Sequence, residues 1–248
     1  MKTAVITGGS RGIGKMIAKA MLEDGMKVVI ISKNDVSGSQ AVEELKSISQ
    51  NVSFYPVDVS DSSQVNEFFN KIESCDVLIN CAGVLGALGP FEENSVEDWK
   101  ETIDVNLLGT IYCCHAAIPF LKKSERGKII TFAGGGAASP RLFHSAYGTS
   151  KAAVVRFTET IAQELKENMD INVIAPGAHN TDIQKEEVYD KPTKWADPER
   201  LIETISFFSS SKSDNITSKF VHIYDNWENL KPNISDDDMF SLRRVEDR

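Results

Sequence analysis

The stretch TAVITGGSRGIG, residues 3–14, restricts the fold of this chain more than any other. An apolar β-branched run, a turn with four glycines in seven residues and an amphipathic stretch follow one another without a gap. That order describes a strand feeding the N-terminus of a helix. The first N–H groups of the helix and the positive end of its dipole converge there, and glycines let a pyrophosphate approach the backbone. Thr7, Gly8, Ser10, Arg11, Gly12, Ile13 and Gly14 are therefore the first candidate binding residues, with a dinucleotide as the expected ligand. A glycine-rich turn on its own is a weak sign. Here a second strand, ending near Ile31, completes the unit that the motif requires.

The rest of the chain repeats the same rhythm. The runs TAVIT, KVVIIS, VSFYPVDV, DVLIN, KIITFA, INVIAPG and KFVHIYD are separated by amphipathic stretches, with helices expected over 12–24, 39–49, 62–72 and 147–168. Runs such as VVII are apolar throughout, as strands covered on both sides must be. The expected fold class is α/β: a single-domain, Rossmann-type doubly wound parallel sheet with helices on both faces. No repeat, proline-rich linker or charge block divides the chain. The domain is read over 1–231, and the charged tail over 232–248 is either a solvated end or a docking arm.

The formal charge of −9 and a pI near 5.0, with no Lys/Arg run, argue against nucleic acid or anionic lipid as partners. KTAVITGG is too short for a signal peptide or a membrane span, so a cytoplasmic location is expected. Cys75, Cys81, Cys113 and Cys114 show no metal-ligand or C-x-x-C spacing and read as buried free thiols; no metal is expected.

The second strand ends in ISKND, where an NAD-binding protein places an acid on the ribose hydroxyls. Ser32 and Lys33 stand there instead. Lys33 and Arg11 suit a 2′-phosphate, which favours NADP(H) over NAD(H). Asp35, two residues on, keeps NAD open if the loop bends back, and Lys33 as an ordinary solvated lysine is the plainer reading.

Six stretches occur in an order that resembles the short-chain dehydrogenase/reductase family over nearly the whole chain. They are TGGSRGIG; Asp58-Val59; NCAG, residues 80–83, with Asn80, Ala82 and Gly83; NLLG from Asn106; YGTSK, residues 147–151; and APGAHNT, with Pro176, Gly177 and Thr181. Without the resemblance, Tyr147 and Lys151 read as a surface pair and Asn106 as a loop cap. With it, Tyr147 is the general acid in reduction or base in oxidation. Lys151 lowers the phenol pKa and binds the nicotinamide ribose, and Asn106 holds a water in a proton relay. The resemblance also implies a homodimer or homotetramer, packed through the helix after Asn106 and the helix of Tyr147, with Ala152, Ala153 and Val154 permitting close approach.

The chain departs from that pattern in three places. The family's catalytic serine falls at Gly134, or at Ala133 if the loop is shifted by one, and neither carries a hydroxyl. Backbone N–H groups of Gly134, Gly135 and Gly136, the side chains of Ser139, Ser145 or His179, a substrate hydroxyl or water are the alternatives. Near the C-terminus Ser218 and Asn226-Trp227 replace family glycines, so Trp227 walls the pocket, meets a neighbouring subunit or packs in the core. The segment 182–198, in the place of a substrate lid, carries Lys185, Lys191, Lys194 and Trp195; the lysines are the candidates for the positive charge that an anionic substrate would need, and an exposed solvated loop is the plainer reading.

The expected function is an NADP(H)-dependent oxidoreductase acting on a carbonyl or secondary alcohol of a polar small molecule, a sugar or nucleotide-sugar among them. The main rival is a dinucleotide-binding sensor or scaffold without turnover. A sugar-nucleotide epimerase or dehydratase needs a larger C-terminal substrate domain than the residues after Gly177 provide.

Overall fold

The computed structural model describes residues 1–232 and 241–242. Seven strands form one parallel sheet in the order β3-β2-β1-β4-β5-β6-β7. The strands are β1 (Thr3–Thr7), β2 (Lys27–Ser32), β3 (Val52–Pro56), β4 (Val77–Asn80), β5 (Gly127–Phe132), β6 (Met169–Ala175) and β7 (Phe220–His222). Every residue of β1, β4 and β5 is buried, the outcome expected for strands with helices on both faces.

One face is covered by α1 (Gly12–Glu23), α2 (Asp35–Leu45) and α8 (Pro198–Ser209). The other face carries α3 (Ser62–Phe69), α5 (Gly109–Leu121) and α6 (Ser145–Leu165). Between β4 and α5 lies α4 (Val96–Ile103), which runs into α5 through a π-helical segment, Asp104–Leu108. The run Val96–Leu121 is long and apolar enough, by those measures alone, to cross a bilayer. Its α5 half packs on α3, β4 and β5, which accounts for its apolar character.

Several element bounds differ from the sequence expectation, each for a local reason. Helix α2 starts at Asp35 because the Asn34 side chain accepts from the Ser37 N–H at 2.8 Å, a side-chain cap that overrides the weaker pattern further on. Helix α6 starts two residues before Tyr147, so the tyrosine sits in its first turn. Strand β3 ends at Pro56, which offers no N–H to extend the ladder.

Trp227 belongs to the core: it is 4% exposed, lies 5.1 Å from the Phe207 ring and is covered by the Arg200 guanidinium at 4.4 Å. It neither walls the cleft nor faces a neighbour. Ser218 takes the left-handed backbone expected of the glycine it replaces, at φ 62°. Cys75, Cys113 and Cys114 are buried free thiols, whereas Cys81 is only half-buried. The expected tail lies outside the described residues except for Pro232, Ser241 and Leu242. The Leu242 N–H donates to Glu159 and its carbonyl accepts from Arg156.

Candidate active site

The C-terminal ends of the strands open into one cleft of about 1170 Å³ that runs from the β1–α1 turn to Tyr147. In that turn Gly8 has φ 66°, and a Cβ on it would lie 2.9 Å from Ala82 Cα. A Cβ on Gly14 would lie 2.4 Å from the Gly8 carbonyl oxygen. Only glycine allows the turn to fold onto itself and onto the end of β4. Ser10, Arg11, Gly12 and Ile13 line the same wall, with Ala82, Gly83, Val59, Pro176, Gly177 and Thr181 opposite or beyond. Thr7 and Asn80 do not face the cleft. They brace it: Thr7 Oγ1 accepts from the Ala82 N–H at 2.9 Å, and Asn80 Nδ2 donates to Cys114 Sγ at 3.3 Å.

At the far end of the cleft Lys33 pairs with Asp58 at 2.8 Å, and the Arg11 guanidinium lies 3.4 Å from Asp182. Burial pushes the Asp58 carboxyl up, but bonds from Lys33 and Ser60 bring it below its ordinary value. Ser32 Oγ is buried without a hydrogen-bond partner, facing a cleft also lined by Asn34 and Ser37. An orphaned hydroxyl, one asparagine, one serine and two cations on the same wall can hold the ribose end of a dinucleotide. Asp35 is exposed in the first turn of α2 and does not line the cleft.

Tyr147 and Lys151 meet at the other end. Lys151 Nζ lies 5.7 Å from the centre of the Tyr147 ring and donates to the Phe132 carbonyl at 3.1 Å. Burial raises the Tyr147 phenol to about 12, with Arg141 opposing and Cys81 and Glu187 adding to the rise. Lys151 does not lower this pKa as expected: desolvation outweighs the one favouring charge, that of Arg141. A phenol with that value is protonated at neutral pH and suits a proton donor. Burial also lowers Lys151 to about 8.

A lysine whose folded pKa lies below the unfolded value costs stability at pH below about 8, and the cost fades as pH rises toward 10.5. Lys151→Met should therefore raise the melting temperature of the cofactor-free protein at pH 7. The gain should be about 1–3 kcal/mol after the lost bond to Phe132 is offset. Thermal melts at pH 7 and pH 10 check this: the gain shrinks at the higher pH.

Asn106 does not reach Lys151 with its side chain. Oδ1 accepts from the Val84 N–H at 2.8 Å, while Nδ2 donates to the Val84 carbonyl at 2.9 Å and to Ser150 Oγ at 3.1 Å. It is fully buried in the π segment, clamping the loop after β4 to α6. Such single-turn π segments recur at functional sites.

The family model for short chain dehydrogenases matches residues 2–192. The chain belongs to the short-chain dehydrogenase family. The 3-oxoacyl-(acyl-carrier-protein) reductase FabG of Chlamydia trachomatis is 34% identical over 241 residues, 90% of this chain and 95% of that protein. A structure of ElxO with NADP bound is 31% identical, covers 92% of this chain and 98% of its own, and superposes with a TM-score of 0.81. The ligand-free aldohexose dehydrogenase of Thermoplasma acidophilum is 26% identical with a TM-score of 0.78, covering 94% and 96% of the two chains. The protein is an oxidoreductase of this family.

In this short-chain dehydrogenase the position opposite Tyr147 is Gly134. A Cβ on Gly134 would lie 2.4 Å from Tyr147 Oη and 2.9 Å from Cζ. Ala133 is not the equivalent residue, since its methyl is buried with Ala137, Val155 and Val173. Ser145 Oγ accepts from Trp99 Nε1 and does not line the cleft, and His179 Nε2 is engaged by the Pro176 carbonyl, so neither replaces the missing hydroxyl. Ser139 lines the cleft and is exposed.

The lid includes a short helix, α7 (Asp182–Lys185). Lys185 pairs with Asp182 at 2.6 Å, and none of Lys185, Lys191, Lys194 or Trp195 lines the cleft. Arg141, Gln184, Asp190 and His222 line it instead, and sequence reading missed all four. Gln184 Oε1 is buried without a partner. The one cation of this group, Arg141, is already paired with Glu187 and Asp190, each at 2.8 Å. The substrate end is therefore polar with acids balancing its cation, not a basic pocket for an anion.

Proposed function

We propose that the protein reduces a carbonyl on a polar, uncharged small molecule, a sugar being the class that fits, with NADPH as reductant; a nucleotide-sugar, whose phosphates are anionic, would find the cation of the substrate end, Arg141, already paired. The observation that carries this reading is the continuous cleft joining the Gly8–Gly14 turn and the orphaned Ser32 hydroxyl to the pair Tyr147 and Lys151. When bound, the reduced nicotinamide supplies a hydride to the carbonyl carbon. Tyr147 gives its phenolic proton to the oxygen as it becomes an alkoxide, and Lys151 offsets the charge left on the phenolate. Gln184, Asp190 and Ser139 accept from or donate to hydroxyl groups of the substrate. Asn106 holds the α4–α5 run against Val84 and Ser150 and so fixes the floor under Lys151. Purified protein screened for NADPH oxidation against keto-sugars and simple ketones tests the reading; consumption with none of them counts against it. A dinucleotide-binding protein without turnover is the reading that Gly134 favours.

NADPH is expected to bind more tightly than NADH, with Ser32, Lys33, Asn34 and Arg11 around the 2′-phosphate. Lys33 is largely exposed and must leave Asp58, so screening limits the effect of Lys33→Ala to about tenfold in NADPH affinity. Fluorescence titration checks it, and equal affinity for the two cofactors would contradict it.

A homodimer or homotetramer in the cytoplasm completes the proposal. Tyr112, Ile118 and Phe120 of α5 and Phe157, Ile161 and Leu165 of α6 are only partly buried, apolar surface that a second copy would cover. Val154, expected at that surface, is 1% exposed and belongs to the core. Sedimentation at micromolar concentration should show at least twice the 27.4 kDa chain mass. The four free thiols suit a reducing compartment.

A further inference from the structure

Between the glycine turn after β5 and the start of α6, the chain bends sharply through residues 141–144. Phe143 adopts a left-handed backbone, φ 65°, which a phenylalanine rarely takes. Its partners hold it there. The Phe143 carbonyl accepts from the Gly89 N–H at 3.0 Å, and its ring lies 4.7 Å from that of Tyr189 in the lid. The bend turns Arg141 and His144 toward one lid carboxylate, Glu187. Oε2 of Glu187 accepts from Arg141 Nη2 at 2.8 Å and pairs with His144 Nε2 at 2.7 Å. Oε1 accepts from the N–H groups of Tyr189 and Asp190, both at 2.9 Å. Asp190 in turn accepts from Arg141 Nε at 2.8 Å.

These bonds occupy two of the three guanidinium nitrogens of Arg141. The third, Nη1, donates to no described residue and lies over the glycine turn, 3.3 Å from where a Gly135 Cβ would be. Arg141, Gly134, Gly135 and Tyr147 line the same end of the cleft. A guanidinium can do this because its five N–H groups fan out in one plane, two edges for the lid acids and one left for a ligand. A short-chain dehydrogenase without a hydroxyl at 134 lacks that donor to the reacting oxygen, and Nη1 is a donor without a partner among the described residues.

We propose that Arg141 supplies, through Nη1, the hydrogen bond to the reacting oxygen that Gly134 cannot, and that Glu187 is the positioning residue that aims it. The donor is then in place only while the lid is clasped to the loop. Arg141 keeps its proton throughout: the proton on the product oxygen comes from Tyr147 and the hydride from the reduced nicotinamide. Among the charges around Tyr147, Arg141 is the one that favours the phenolate, with Glu187 opposing it. Glu187 itself is pushed up by burial, but its bonds to Asp190, His144 and Tyr189 bring it down to about 2, so the clasp carries its charge at any working pH.

The inference rests on the reductase reading and is tested with the carbonyl that the wild-type protein reduces fastest. Arg141→Met should lower kcat about 100-fold, the effect of one lost donor, with KM within about threefold and NADPH affinity unchanged. Arg141→Lys should recover little, since one ammonium cannot serve Glu187, Asp190 and the substrate together. Millimolar methylguanidinium should restore part of the turnover of Arg141→Ala. Glu187→Gln should lower kcat less and speed deuterium uptake at the Tyr189 and Asp190 amides. A kcat for Arg141→Met within about threefold of wild type overturns the inference, as does a loss that methylguanidinium leaves untouched. Activity that Tyr147→Phe removes and Arg141→Met does not removes this inference alone. A wild-type protein that reduces no carbonyl removes the reductase reading and the inference with it.

Discussion

Tyr147→Phe should abolish turnover, by about 1000-fold or more, while NADPH binds as it does to the native protein. The phenol lies beside Lys151, and burial holds it at about 12, so at neutral pH its proton is available for transfer. The substitution removes a hydroxyl and leaves the ring, its contacts and the first turn of α6 in place. The dinucleotide end of the cleft, built by Gly8, Gly14, Ser32 and Lys33, is untouched. Steady-state rates and an NADPH titration on the same preparation separate the two effects. Undiminished turnover would remove Tyr147 from the chemistry; a joint loss of binding and rate would show that the ring, not the proton, had been disturbed.

Gly134→Ser should lower kcat rather than restore a missing donor. The serine Cβ would stand 2.4 Å from Tyr147 Oη and 2.9 Å from Cζ, so the phenol must retreat by about 1 Å. A displacement of that size at a reacting group costs on the order of 100-fold. Helix α6 cannot absorb it easily, because its start is pinned by the Gly148 N–H on the His144 carbonyl at 2.8 Å and by His144 on Glu187. Gly134→Ala should lose as much as Gly134→Ser, since the Cβ is the common obstacle. A serine variant faster than wild type would contradict this and show that the site lacks only a hydroxyl.

The parts of this architecture that depend on neighbours in sequence were legible in it. The β1–α1 turn, four of the seven strand runs to within one residue, and the spacing of Tyr147 and Lys151 follow from local pattern and glycine placement. Helix α2 was misplaced by four residues because a cap at Asn34 outweighs the apolar periodicity after it. Helices α4 and α8 were not read, and α5 came only from the family resemblance: α5 is apolar on most sides, and α8 begins within the segment taken as lid. The site residues that escaped were those joined at long range. Arg141 and Glu187 are 46 residues apart, and neither SPRLF nor QKEEV carries a periodicity or motif that would pair them. The lid lysines misled for the opposite reason: charge is visible in a sequence, but the side of a loop it faces is not.

The most direct test of the account is hydride transfer itself. NADPH carrying deuterium on one face of C4, then on the other, is incubated with the protein and a keto-sugar or ketone that it consumes, and the alcohol is examined by mass spectrometry. One wall of the cleft fixes which face of the nicotinamide meets Tyr147, so deuterium should appear in the alcohol from one label and not from the other. An alcohol without deuterium from either label, or NADPH consumed with no alcohol formed, would contradict the account.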